Sequence, residues 1–412
     1  MKACHDSEAA SRANRAPLAG VRILDLATVV AAPLSATLCA DMGAEVVKVE
    51  LPQGGDTLRS LAPVMGEHPL YWKVANRGKL GITLDVRKPE GRELLLRMLP
   101  RFDVLVENFR TGTLDRWGLD MDTLLAHNPR LIVLRLTGFG QTGPYAERPG
   151  FARIFEAMSG FAHLTGEPGR PPQHMNYSLG DAIAGLFGAF AISTALAERN
   201  AQPAHAQRGC EIDLAATEAL FRLLDPLAAE FALMGQVRER LGSRAGFAAP
   251  SNVYATQDGH WITLVASSPV TFARLCEAMG QVELLQDPRF STPAQRLAHA
   301  QALDEYVANW CRSQTLQTLM TSLNDKQVPF SKVCSIADVY DDPHFQARQA
   351  IWQLPDPELG QVPAPCSVPR FVGREAAVPR TGPSTGEHSQ AFYTELGLDQ
   401  ETQQRLRSEG VI

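Results

Sequence analysis

The sequence predicts an α/β protein: a Rossmann-like large domain with a parallel sheet, followed by a smaller α+β domain. Three observations carry this. Short apolar strands alternate with helical segments from Val21 to Leu136, the pattern of a doubly wound sheet. A hairpin signal and three helical segments cluster between Ser251 and Leu323. A long apolar segment, Ala182 to Ala197, lies between the two groups.

Val21–Leu26 reads as a buried strand, apolar nearly throughout. Ala31 opens a helix running through Cys39, with Pro33 in its first turn. Glu45–Glu50 is the second strand, so strand, helix and strand form a βαβ unit with a right-handed crossover. Leu51–Glu67 is a loop containing glycine and proline. Leu80–Leu84, Val104–Glu107 and Leu131–Leu136 continue the sheet, with a helix at Pro89–Met98. Ligands of such sheets bind beyond the carboxyl ends of strands. Those ends carry Ala27–Ala32, Asn108-Phe109-Arg110 and Gly138–Gly143.

Gly138-Phe-Gly140-Gln-Thr-Gly143 matches the dinucleotide fingerprint by letter. The true fingerprint opens a helix directly, whereas here Pro144 and a polar stretch to Pro149 follow. A loop over a cleft is the better reading, and a nicotinamide-dependent dehydrogenase the weaker one.

The segment Asn176-Tyr-Ser-Leu-Gly-Asp181 leads into the apolar stretch, which is rich in Ala and Leu and ends in charge at Glu198-Arg199. It reads as a buried helix whose small residues Gly185, Ala189 and Ser193 share one face. Asp181 then stands at or near the helix N-terminus, where the macrodipole favours an anion. It reads either as an N-cap or as a carboxylate nucleophile beside a glycine that lets a bulky substrate approach.

Further on, Glu211–Leu214 is a strand and Thr217–Met234 a helix. Gly235–Gly246 marks a boundary with a mobile loop. Ser251–Thr256 and His260–Val265 are strands joined through Gln257-Asp258-Gly259. Helices follow at Val270–Met279, Ala300–Ser313 and Leu316–Leu323. Ile336–Val339 and Pro343–Gln346 begin a return segment, Leu354–Pro383 is proline-rich and extended, and Glu387–Leu396 is a closing helix. The expected domains are an extension at 1–17, a large domain at 18–225, a small one at 226–335, and a return at 336–412.

The chain has 412 residues, 45% hydrophobic and 20% charged, with net charge −6. This is a globular composition and argues against a nucleic-acid partner. The apolar stretch is shorter than the roughly 20 residues of a membrane span. Met1–Arg15 lacks the apolar core of a signal peptide. Seven scattered cysteines without a Cys-x-x-Cys pair suit a reducing cytoplasm. No histidine spacing suggests a metal.

The ordered segments resemble the class III CoA transferases, the family of formyl-CoA and carnitine-CoA transferases. The resemblance runs from Leu18 to the end of the chain. It rests on Gly20-Val-Arg-Ile-Leu-Asp-Leu, Leu38–Glu50, Asn76–Arg87, Val106-Glu-Asn-Phe-Arg through Leu119, Thr137–Pro144, Leu179-Gly-Asp181 and Pro383–His388. It implies that Asp181 carries covalent acyl intermediates, and that coenzyme A enters as a substrate and not as a resident cofactor. It implies CoA contacts at Val30 and Ala31, at Leu84, Asp85, Val86 and Arg87, at Asn108, Phe109 and Arg110, and at Arg116. It implies an interlocked, ring-like homodimer.

Two departures narrow the chemistry. Formyl-CoA transferase has glutamine where this chain has Val30 and arginine where it has Leu51, so oxalate and formyl-CoA fit poorly. The racemase branch carries a histidine where this chain has Phe151, in Gly150-Phe151-Ala152. Phenylalanine cannot move a proton, so transfer is expected, with an acyl-CoA racemase as the alternative. The expected reaction moves CoA from succinyl-CoA to a C4 or C5 dicarboxylate. Gly150 and Arg153 would lie near the substrate. Arg153 is the first candidate to hold its remote carboxylate, and Arg244 the second.

Overall fold

The computed structural model describes residues 16–374 and 377–412. Of the expected extension at 1–17, residues 1–15 lie outside the described residues, Cys4 among them. The described residues form two compact units. The first holds the chain up to Phe161, Met175–Ala229 and Gln349–Ile412; the second holds Ala162–His174 and Glu230–Arg348. The units therefore part at Ala229 and Arg348, and not at 225 and 335. The helix Ile336–Asp341 stays with the second unit because Lys332, on the strand Phe330–Lys332, pairs with Asp338 at 2.5 Å.

The first unit is built on six parallel strands: β1 (Arg22–Asp25), β2 (Glu45–Glu50), β3 (Lys79–Thr83), β4 (Val104–Glu107), β5 (Ile132–Thr137) and β6 (Glu211–Ala215). Their order across the sheet is β3-β2-β1-β4-β5-β6, so the chain reverses direction between β1 and β4. Side chains of each strand alternate between two buried layers. Leu24, Val47 and Leu105 face one, with Leu94, Leu95 and Leu406; Ile23, Val46 and Val104 face the other, with Ala32, Ala36 and Ile192. Both faces are covered, which is why the strands read as continuous apolar runs.

Two helices fill the second layer. Helix α1 spans Ala31–Asp41 and helix α3 spans Leu179–Ala201, with the short α2 (Ala152–Met158) before α3. A side chain on Gly185 would lie 2.7 Å from the Ala31 carbonyl oxygen, and one on Gly188 3.0 Å from Ser35 Cβ. The hydroxyl of Ser35 donates to the Gly185 carbonyl at 2.9 Å. The close-packed positions are thus Gly185 and Gly188, three apart, and not the expected stripe through Ala189 and Ser193; Ser193 is exposed.

Helix α3 is also longer than expected. Its 23 residues are enough, by length and composition, to cross a membrane. Its packing explains the apolar character instead: Ala184, Ile192 and Leu196 enter the core, and buried Arg199 pairs with Asp103 at 2.7 Å. It is not buried all round, since Leu186 and Phe190 are exposed.

Three other expectations are corrected. The predicted helix Thr217–Met234 breaks into Ala216–Phe221 and Leu227–Met234. Pro226 has no amide proton to continue a helix and crowds the residue before it. The proline-rich return is partly a hairpin, Ile351–Asp356 with Gly360–Pro365. The closing helix is Ser389–Glu395, and a further helix, Gln400–Ser408, follows, capped by Asp399, whose side chain accepts from Thr402 N at 2.8 Å. This last segment covers the edge of β3: Tyr393 donates to the Thr83 carbonyl at 2.7 Å, and Ser389 Oγ accepts from Thr83 N at 3.0 Å.

The second unit is a three-stranded antiparallel sheet, with Trp261–Val265 between Ser251–Ala255 and Phe330–Lys332. Helices Pro269–Met279, Ala300–Arg312 and Leu316–Asp325 pack on it around Phe272, Leu303 and Leu319. The third strand was not legible because it is three residues long.

The contact between α1 and α3 leaves no room for a branched side chain. Gly188→Val is expected to destabilise the protein by about 2–3 kcal/mol, read as a lower denaturant midpoint with an unchanged slope.

Candidate active site

The ends of β1, β4 and β5 open onto a cleft of about 210 Å³ at the point where the sheet order reverses, the usual ligand position in such sheets. Each wall follows from local structure. After β1 the chain turns sharply through Val29, whose φ of 68° is a strained value for a β-branched residue. The turn is held by side chains. Both carboxylate oxygens of Asp56 accept from Val29 N at 3.1 Å. Asn108, at the end of β4, accepts from Thr28 N and donates to the Thr28 carbonyl, both at 2.8 Å.

Beneath this turn lies a buried charge cluster. Lys79 binds Asp25 at 2.8 Å, and Lys48 lies 3.3 Å from Asp56 and donates to the Ala27 carbonyl. Burial lowers Lys79 to about 8 against the pull of Asp25. Each buried charge has an opposite partner, as burial demands.

On the far wall, β5 runs into Gly138–Gly143, and no helix opens there; the next is α2 at Ala152. Side chains at Gly138 and Gly150 would each lie 2.5 Å from the ring of Phe155. These glycines let Phe155 pack under the cleft, a role unrelated to a phosphate.

Asp181 completes the wall. It lies in the first turn of α3, but it is not the N-cap; that position is Ser178, which makes no side-chain cap bond. Gly180 lets α3 approach α2, since a side chain there would meet the Ala152 carbonyl oxygen at 2.8 Å. The Gly180 amide donates to Glu156 Oε1 at 3.0 Å. Burial first, and the charge of Glu156 second, raise the Asp181 carboxyl to about 6. The expected help from the helix amides is therefore outweighed, although Asp181 is still mostly ionised at neutral pH.

The sequence-predicted residues fall into separate places. Val30, Ala31, Asn108, Phe109, Arg110, Gly150 and Asp181 line this one cleft. Leu84, Val86 and Arg87 line a neighbouring cleft of about 260 Å³, and Thr28 and Phe109 border both. Asp85 turns aside to bind Arg87 through both oxygens, at 2.7 and 2.8 Å, and this contact holds its carboxyl below the usual range. Arg116 lines neither cleft; it is exposed and donates to Thr113 Oγ1 at 2.8 Å. Arg153 is exposed beside Tyr71, Asn176, Tyr177 and Ser178, in a separate depression. Arg244 belongs to the second unit, where it pairs with Asp304 at 2.7 Å.

Sequence reading missed Glu156, Tyr71, Asp56 and Arg148. Burial raises the Tyr71 hydroxyl to about 12, and the charge of Asp181 adds to this. Arg148 lines the Asp181 cleft and stacks on Tyr145, 3.6 Å from the ring centre. The one available signal was Glu156, an acid among the apolar residues of Phe155-Glu156-Ala157-Met158.

The fold is a doubly wound α/β unit whose switch-point cleft holds one carboxylate among its described lining residues, Asp181. The model of CoA-transferase family III matches residues 18–389, and the chain belongs to that family. It is 40% identical over 402 residues to the succinyl-CoA–D-citramalate CoA-transferase of Chloroflexus aurantiacus, covering 96% of this chain and 98% of the relative. It is 40% identical over 401 residues to the beta subunit of the succinyl-CoA–L-malate CoA-transferase of the same organism, with the same coverage. A crystal structure of a CAIB/BAIF family protein from Brucella suis superposes with a TM-score of 0.81 at 34% identity, covering 93% of this chain and all of the other. The chain is therefore a CoA-transferase, and its substrates include CoA thioesters.

Gly180→Ala is expected to push α3 off α2 and move Asp181. A fall in kcat of about 10²-fold, with the protein still folded by circular dichroism, is the outcome to look for.

Proposed function

We propose that the enzyme moves CoA from succinyl-CoA to a C4 or C5 dicarboxylic acid, with Asp181 as the acyl carrier. The observation that supports this most is the make-up of the cleft. Among its described lining residues Asp181 is the one carboxylate, and no serine, cysteine, lysine or histidine joins it.

The chemistry follows from the carboxylate. An Asp181 oxygen attacks the thioester carbonyl of the donor, the C–S bond breaks, and CoA leaves as thiolate. The thiolate attacks the aspartyl carbonyl of the resulting anhydride and expels the donor acid, leaving Asp181 as a CoA thioester. The acceptor carboxylate attacks that thioester and releases the thiolate. The thiolate then takes the acceptor acyl group and frees Asp181. Every intermediate stays as activated as a thioester, whereas a seryl ester would be an energy sink. No step uses a metal or a resident cofactor.

The two clefts that share Thr28 and Phe109 give a path from Asp181 to Arg87, along which CoA would lie. Val30, Ala31, Asn108 and Arg110 would line its thiol end, and Leu84, Val86 and Arg87 its far end. Arg87 would exchange Asp85 for phosphate. Arg116 would contribute only from outside the clefts. Succinyl-CoA as donor is supported by both relatives, which are named for it, and citramalate and malate are dicarboxylic hydroxy acids of the proposed size.

Arg153 would hold the remote carboxylate of the acceptor, with Gly150 at the cleft mouth. Phe151 in place of a proton carrier argues against racemisation. The exposed apolar residues Phe151, Ile154, Leu186 and Phe190 support association of two copies as an interlocked dimer. The six described cysteines are free, which suits the cytoplasm.

Three outcomes test this. Asp181→Asn should lower turnover of succinyl-CoA with L-malate by at least about 10³-fold while the thioester still binds. In the native enzyme kcat/KM should fall below about pH 6, where Asp181 becomes protonated and stops being a nucleophile. A flat acid limb would contradict the role. Arg153→Ala should raise KM for the dicarboxylate and leave KM for succinyl-CoA near its native value; unchanged KM for every dicarboxylate would end that assignment.

A further inference from the structure

The glycine motif Gly138–Gly143 runs on into a wall of the Asp181 cleft, and that wall holds a cation to which the reaction scheme gives no task. Arg148 lines the cleft beside Pro149 and Gly150. It is exposed, yet it is held in place. Its guanidinium stacks on the Tyr145 ring, 3.6 Å from the centre, a cation–π contact. Tyr145 meets Phe139 edge-on at 6.2 Å, and Phe139 meets buried Phe155 edge-on at 6.1 Å. Three rings thus join Arg148 to the residue packed under the cleft. The loop is pinned as well. The Gln141 amide donates to both Asp213 oxygens at 3.0 Å, and Thr111 Oγ1 donates to the Ala146 carbonyl at 3.0 Å. No carboxylate among the described residues pairs with Arg148. Ordering an arginine costs side-chain entropy, and here the charge so ordered is left open to an anion from outside.

The proposed reaction says which anion that is. CoA lays its phosphates toward Arg87 in the neighbouring cleft and brings an uncharged arm and its sulfur to Asp181. The free acid differs. The donor acid leaves Asp181 as a carboxylate, and the acceptor arrives there as one. We infer that Arg148 binds the reacting carboxylate of the free acid, the group expelled from Asp181 in the first half of the reaction and attacking it in the second. This deepens the proposed function and rests on Asp181 as the acyl carrier.

Charge sets when the acid binds. In the resting enzyme the Asp181 carboxylate repels a second carboxylate. Once Asp181 is a CoA thioester that charge is gone, and the cleft is left with two guanidinium groups, Arg110 and Arg148, and no carboxylate among its described lining residues. The cleft then attracts an anion at the stage where the acid is needed. Arg110 follows Asn108 and Phe109 on the wall assigned to CoA, whereas Arg148 adjoins Gly150 on the wall assigned to the acid. Arg153, in its separate depression, keeps the remote carboxylate, so the two ends of a dicarboxylate meet different arginines. A thioester presents a neutral carbonyl where the acid presents a charge. Loss of Arg148 therefore weakens acids and spares thioesters.

Arg148→Gln assayed with succinyl-CoA and L-malate tests this. KM for L-malate should rise about tenfold, the loss of one charge-assisted hydrogen bond. KM for succinyl-CoA should stay within about twofold of native, since the lost interaction is absent from the thioester. Inhibition by succinate and by its monomethyl ester, which keeps a single carboxylate, should weaken by the same factor. Arg148→Lys keeps the charge and should recover most of the loss, with circular dichroism confirming that both exposed variants fold. An unchanged KM for L-malate would overturn the inference. An equal rise in KM for succinyl-CoA would make Arg148 a CoA contact and overturn it too. So would an effect confined to succinate, a native enzyme that the monoester does not inhibit, or a lysine variant as impaired as the glutamine one. Asp181→Asn run in parallel separates the two ideas. If it keeps full turnover, the carrier role fails and this inference with it; if it is inactive while Arg148→Gln has a native KM for L-malate, this inference alone fails.

Discussion

The site depends on one steric constraint, the approach of α3 to α1 and α2 at three glycines. Gly185 and Gly188 bring α3 against Ala31 and Ser35, and Gly180 brings its first turn against Ala152. Helix α1 begins at the cleft and α3 carries Asp181 in its first turn, so their contact sets where Asp181 stands relative to the turn after β1. A side chain at any of these glycines would meet backbone or Cβ atoms of the facing helix within 3.0 Å, so the helices would have to part. Small displacements are costly for a reaction between held partners.

The opposite wall is held by electrostatics. A β-branched residue at φ 68° is unfavourable by itself. It persists because Asp56 binds the Val29 amide, Asn108 binds Thr28 twice, and Lys48 anchors Asp56 from below. The result is a rigid turn that places the amides at the start of α1 beside the cleft. On the other side, the Asp181 carboxylate sits between burial and a like charge. Both walls contain a buried carboxylate, Asp56 beside Lys48 on one and Glu156 at the Gly180 amide on the other.

The sheet was legible because each strand is a run of apolar residues between glycine, proline and polar turns, and a doubly wound sheet is buried on both faces. Asp181 was legible because it closes a Leu-Gly-Asp segment before a long apolar helix. Other features were not. Of the small residues expected on the close-packed face of α3, Gly185 meets a neighbour but Ser193 is exposed and Gly188 takes its place, because spacing alone cannot show which small residues meet a neighbour. The role of Arg116 looked plausible by position in its segment, but the four-residue helix Thr113–Arg116 turns its side chain toward Thr113. Glu156 is not legible because a lone acid on a short helix usually faces water, and the hydrogen bond it accepts from the Gly180 amide joins residues 24 apart in sequence.

The claim at the centre is that acyl groups pass through the side chain of Asp181. Oxygen exchange tests it most directly. If the acceptor attacks aspartyl-CoA and the thiolate then takes the acceptor acyl group, the bridging oxygen stays on Asp181. With L-malate labelled with ¹⁸O in its carboxylates and succinyl-CoA as donor, the peptide containing Asp181 should gain one heavy oxygen in a turnover. An active enzyme whose Asp181 peptide keeps its natural mass after many turnovers would show that the transfer bypasses this residue.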